Sequence, residues 1–306
     1  MLTSFFGKSS PVNFILLGVF ICFFWSWKFF TSGISIEVLS TWGILVGVLL
    51  LLIFSMLLLD FILRKNQLTG GNTYGVFLFS TMICMLPLEQ SLEYLCALGF
   101  ILLSLRRIFS LSSSKNTEKK ILDASLWILL ASYFYFWSIL AFFLLFISIV
   151  NAPQKKARYF AIPFVALIGL SLLATAYFLI IGQNSYWWNK LPEGISFQYG
   201  NYATSSMLLF LTVFFSVILW TGFYRVSKTK EVPKKNRPNY RMVFYTLLVF
   251  LAIVIIAPLK LGGEWAFAIV PASVIIAGFL EGNKEAWFKE LLLWVFLLAP
   301  FVSLFL

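Results

Sequence analysis

Residues that could do chemistry are few in this chain, and they gather at three places between long apolar runs. The first is Lys260-Leu-Gly-Gly-Glu264-Trp265. Its glycines permit a close turn, and a lysine beside a carboxylate at membrane depth suits a phosphate-bearing lipid. A tight connector with a weak surface ion pair would read the same way. The second is 182–202, which sets Tyr186, Trp187, Trp188, Phe197, Tyr199 and Tyr202 around Lys190 and Glu193. Aromatic faces stack on sugar C–H surfaces while amides and charges take hydroxyls and phosphate, so this loop is a shelf for a sugar or lipid head group. An interfacial aromatic belt has the same composition. The third is Glu89 and Glu93. Four residues apart on a helix, two carboxylates share a face and repel, an arrangement that binds a divalent cation or raises one pKa enough to make a base. A solvated helix N-terminus also favours such acids.

Two further acids have structural readings. Asp60 and Arg64 are spaced as an i,i+4 pair. Asp123 stands where a helix would open and is placed to cap it. Histidine is absent, which excludes His-ligated iron or zinc enzymes and any imidazole base. Phosphate-binding Gly-rich loops, the Gly-x-Ser-x-Gly elbow and Cys-x-x-Cys are likewise missing, so no resident cofactor is implied beyond the divalent cation, and nothing points to nucleic acid.

These groups must be positioned by membrane helices. The chain has 306 residues, 61% of them hydrophobic and only 11% charged, against about 25% charged in soluble domains. In hydrocarbon every backbone amide must pair internally, which leaves helices or closed barrels. Unbroken runs such as Gly43–Leu59 and Met242–Ala257 exclude the alternating polarity of a barrel strand. The expected fold is an all-α polytopic transmembrane bundle in one domain, with about eleven membrane segments and nine as the lower bound. The segments are 12–30, 41–63, 72–87, 91–108, 121–135, 137–150, 159–182, 203–223, 241–258, 263–280 and 286–306. Cys22, Cys84 and Cys96 fall within apolar runs and read as small core hydrophobes rather than a disulfide framework.

Charge sets the crossings. With the N-terminus and Lys8 in the cytoplasm, all but Lys28, Lys190 and Lys260 of the 23 lysines and arginines fall on the cytoplasmic side, as the positive-inside rule requires. That count holds only if 121–150 leaves and returns to one side, as a short helical hairpin buried among its neighbours.

The opening Met1–Phe14, together with Asn72-Thr-Tyr74, Leu105-Arg-Arg-Ile108, and Ile121–Trp127 followed by Ala131–Trp137, resembles an uncharacterised family of polytopic inner-membrane proteins of Bacteroidota. The resemblance covers the first half and implies a multi-pass protein of the bacterial inner membrane, not a reaction. The many spans, the short hairpin and the aromatic outer loop are more loosely similar to membrane glycosyltransferases and polymerases that use polyprenyl-phosphate-linked sugars. Those often carry an acidic pair in the first outer loop, where this chain has only Glu37.

Three functions therefore stand as expectations. In the first, lipid-linked glycans are handled at the periplasmic face, with Glu264, Glu89 and Glu93 as candidate catalytic carboxylates. Lys260, Lys190, Glu193, Trp187 and Trp188 would then hold the substrate. The second is a transporter or lipid flippase, although the spans hold no clear mid-span charge. The third is a structural subunit of a membrane assembly.

Overall fold

A run of apolar residues in hydrocarbon satisfies its amides most cheaply as a helix. In the computed structural model the chain is helical, with no strand among the described residues. The structure describes residues 2–31, 39–87 (backbone alone for 39–41), 92–113, 115–154, 156–182, 194–283 and 285–306. In order the helices are α1 (Leu2–Phe6), α2 (Pro11–Thr31), α3 (Leu39–Lys65), α4 (Tyr74–Met85), α5 (Leu92–Ser110), α6 (Thr117–Phe134), α7 (Ala141–Val150), α8 (Arg158–Ile180), α9 (Ser205–Lys228), α10 (Arg237–Ile256), α11 (Trp265–Gly282) and α12 (Ala286–Leu304). Among the described residues, seven helices are long and apolar enough to cross a membrane: α2, α3, α8, α9, α10, α11 and α12. The protein is a multi-pass membrane protein.

Contacts between loops define the two ends of the bundle. At one end Arg64 donates to Ser9 at 2.5 Å, Gly70 N–H to Glu281 at 2.9 Å, Lys120 to the Ser110 carbonyl at 2.7 Å and Asn239 to Ser112 at 3.4 Å. The loops around these residues carry most of the lysines and arginines, and we call this the basic end. At the opposite end Lys28 donates to the Leu86 carbonyl at 3.0 Å, and Asn201 to the Leu259 carbonyl at 3.0 Å.

The stretch 121–150 is a hairpin, as its charges require. α6 rises from the basic end, a 3-10 turn at Phe136–Leu140 reverses the chain, and α7 descends. Ser148, near the end of α7, donates to the Ile108 carbonyl of α5 at 3.0 Å. Arg158, opening α8, meets Glu118 of α6 at 2.5 Å. Both contacts return the chain to the end where α6 began. Asp123 pairs with Arg107 at 2.8 Å, which corrects its reading as a helix cap: α6 starts six residues earlier, at Thr117. Asp60 and Arg64 form the expected pair at 2.8 Å.

The centre is held by α4 and α11. All twelve residues of α4 are buried. At 1.5 Å per residue it is about 18 Å long, well short of a ~30 Å hydrocarbon core, and is tolerated because protein surrounds it. α11 is buried over most of its length. Its Ala266, Ala268, Ala272, Ser273, Ala277 and Gly278 let neighbouring helices approach closely, as small residues do in membranes. α9 and α10 both pack against α11.

At the basic end the short α1, absent from the hydropathy pattern, is clamped by Glu290 of α12. That carboxylate accepts from Leu2 N–H at 2.6 Å, Thr3 N–H at 3.0 Å and the Thr3 hydroxyl at 2.7 Å. Asn13, fully buried, donates to the Phe5 and Lys8 carbonyls and to Thr73 at 3.2, 2.9 and 2.9 Å.

Candidate carboxylate site beside an apolar groove

The loop between α10 and α11 turns on two left-handed residues, Lys260 at φ 48° and Gly262 at φ 92°. Gly262 is required twice over: an L side chain resists that φ, and a Cβ there would stand 2.7 Å from Pro87 Cγ. The turn buries both charged residues, with Lys260 1% exposed and Glu264 0%.

The sequence reading pairs lysine with carboxylate. The structure instead gives each its own helix end. The Lys260 ammonium donates to the carbonyls of Val254, at 2.7 Å, and Ile255, and lies 4.8 Å from the centroid of the Tyr199 ring. It therefore caps the C-terminal carbonyls of α10, where the helix dipole favours a cation. Burial pulls its pKa below the ordinary 10.5, and the charge of Glu264 partly restores it. Glu264 stands at the N-terminus of α11, where the dipole favours an anion. Its Oε1 accepts from the Tyr202 hydroxyl and, at 3.1 Å, from Gly262 N–H. Burial, and then the charge of Glu264, push the Tyr202 phenol above its ordinary 10.0, so Tyr202 remains a donor.

One oxygen of the Glu264 carboxylate is left over. Glu264 Oε2 is buried and has no hydrogen-bond partner, and the same is true of the hydroxyl of Tyr135 at the hairpin apex. A buried carboxylate oxygen without a donor is costly. Such an atom can accept a hydrogen bond from a hydroxyl or N–H.

Beside this pair runs an apolar groove of about 520 Å³. Leu208, Leu211 and Phe215 of α9 form one wall, and Leu251, Val254 and Ile255 of α10 the other. Trp265, Tyr199 and Tyr202 close the end that adjoins Glu264. Tyr202 therefore has two faces: its ring lines the groove and its hydroxyl rests on Glu264. The groove is apolar along its length and suits a hydrocarbon chain.

Of the other predicted site residues, Glu93 is exposed in the first turn of α5. Its neighbour Tyr94 packs on Tyr135 at 4.7 Å. Glu89, Lys190, Glu193, Trp187 and Trp188 lie outside the described residues, and with Glu89 goes the two-carboxylate cation site. Sequence reasoning missed Tyr202 as the partner of Glu264. In the sequence Tyr202 stands among loop aromatics, and no local spacing links residues 62 apart. No family model, curated protein or solved structure matches the chain.

Proposed function

We propose that this membrane protein handles a polyprenyl-phosphate-linked glycan at the end opposite its basic loops, the periplasmic face of a bacterial inner membrane. The observation that carries the reading is Glu264 Oε2, a buried carboxylate oxygen without a partner, held behind the tyrosine that closes an apolar groove. In this reading the prenyl chain lies between α9 and α10. A sugar hydroxyl then displaces or passes the Tyr202 ring and donates to Glu264 Oε2. The carboxylate orients that hydroxyl and is the group placed to take its proton. Lys260, held on the α10 carbonyls by two of its three N–H donors, keeps one for a phosphate oxygen.

The test is mass spectrometry of lipids that copurify with the wild type and with Glu264→Gln in mild detergent. A hydrogen bond to a charged group contributes about 1.5–3 kcal/mol, so the variant should retain the glycolipid about tenfold less or worse. Bulk phospholipid alone in the wild type would remove the proposal.

A second reading, transport of such a lipid, is favoured by one observation. α9 and α10 leave space between them at both ends, the groove at one and a cavity lined by Arg225 and Tyr240 at the other.

A further inference from the structure

Arg225 lies in the last turn of α9 at the basic end, but it does not reach outward as the lysines beyond it do. It is 2% exposed. Its Nε and Nη2 donate to the Tyr240 carbonyl at 3.4 and 3.3 Å. Its guanidinium carbon lies 3.8 Å from the centroid of the Tyr240 ring. Nη1 has no hydrogen-bond partner, and it lies against Gly278 of α11, where an added Cβ would stand 3.1 Å away. The nearby acids are engaged elsewhere. Glu281 accepts from Gly70 N–H at 2.9 Å and from Asn72 at 2.7 Å, and Glu231 pairs with Lys228 at 2.6 Å. A buried guanidinium with long hydrogen bonds and no ion pair is unfavourable by itself. Topology alone asks for basic residues in this loop, not for one inside the bundle.

This arginine lines a cavity of about 370 Å³ between α9 and α10, together with Lys230, Arg241, Tyr240, Phe244 and Tyr245. Three cations face the cavity, and none of its lining residues is acidic. Its aromatic wall continues onto the flank of α10, where Tyr245 is 37% exposed, and Val226 on α9 is 53% exposed. The cavity is thus cationic where the chain leaves the bilayer and apolar where the helices enter it.

We propose that this cavity binds the phosphate group of an anionic lipid from the leaflet at the basic end, with Arg225 and Arg241 as its donors and the lipid chains along α9 and α10. Guanidinium groups match phosphate oxygens in charge and fork geometry. The site is separate from Glu264 and does not depend on the glycan reading.

The test titrates the full-length protein in detergent with phosphatidylglycerol, phosphatidylcholine or inorganic phosphate and reads occupancy by native mass spectrometry. Phosphatidylglycerol should bind about tenfold more tightly than phosphatidylcholine. Lys230→Gln with Arg241→Gln, both at exposed positions and so compatible with folding, should weaken it about tenfold. Arg225→Gln should weaken it further, and Glu264→Gln should leave it unchanged. Displacement of the lipid by millimolar inorganic phosphate would assign the recognition to the phosphate alone; retention would assign it to phosphate and chains together. Equal binding of the two lipids, or wild-type binding by the Lys230/Arg241 variant, would overturn the proposal.

Discussion

At the scale of single residues, Lys260 and Glu264 show how a charge is kept inside a membrane bundle without an ion pair. Each sits at the helix end whose dipole suits it, and each is held by local donors or acceptors. Lys260 gives this a titratable signature. Its pKa is lowered, so the folded state holds the proton less tightly than the unfolded chain. The ammonium therefore carries a penalty at neutral pH, and that penalty fades as pH rises through the lowered value toward 10.5. Lys260→Met lacks this titration. The melting temperature of the wild type, relative to that of Lys260→Met, should accordingly climb across the alkaline range below 10.5. A difference that is flat with pH, measured by thermal denaturation in detergent, would show that Lys260 is solvated rather than buried. Both residues stand out in the sequence as a candidate site, because a Lys-Leu-Gly-Gly-Glu turn is more than a connector needs. Their separation was not legible. It depends on the left-handed backbone at Lys260, which turns the ammonium back onto α10.

At the scale of elements, the hairpin was legible through charge and not through hydropathy. Residues 121–150 are too long for one straight span and too short for two full ones, and only the placement of lysines and arginines decides between them. α1 was not legible, because five residues carry no periodicity and its place is fixed by the distant Glu290. The buried Arg225 was hidden by its own neighbourhood, since an arginine at the end of a span in a basic loop is what topology alone would supply. The first-half segments 2–14 and Asn72–Tyr74 meet in the fold: Tyr74 donates to the Thr3 carbonyl at 2.8 Å and Asn13 to Thr73 at 2.9 Å. The hairpin yields its own prediction. In a background lacking Cys22, Cys84 and Cys96, cysteines placed singly at Ser113, Asn151 and Thr229 should react with an impermeant maleimide from one and the same side of the membrane. Labelling of Asn151→Cys and Thr229→Cys from the side opposite Ser113→Cys would make 121–150 a single span and invert everything after it.

For the whole molecule, the arrangement of helices matters more than any one group. α4 and α11 form a core with almost no lipid contact, while α9 and α10 lean on α11 and leave their mutual flank open at each end. Such a flank is expensive in water but natural in a bilayer, because lipid chains fill it with no hydrophobic penalty. It follows that filling the groove should cost the fold little while costing the ligand its place. Leu208 is 51% exposed and lines the groove, so Leu208→Trp enlarges a side chain that already faces hydrocarbon rather than the core. Its melting temperature should stay within a few degrees of wild type, since substitutions away from packed interiors usually change stability by only about 0.5 kcal/mol. If the proposed glycolipid occupies the groove, its copurification should fall severalfold, and Glu264→Gln in the same protein should add little, because in that proposal chain and head belong to one ligand and their losses are not additive. Were Leu208→Trp to retain the lipid in full while Glu264→Gln lost it, the head group would still bind at Glu264 but its chain would run elsewhere, and the space between α9 and α10 would be ordinary lipid-facing surface.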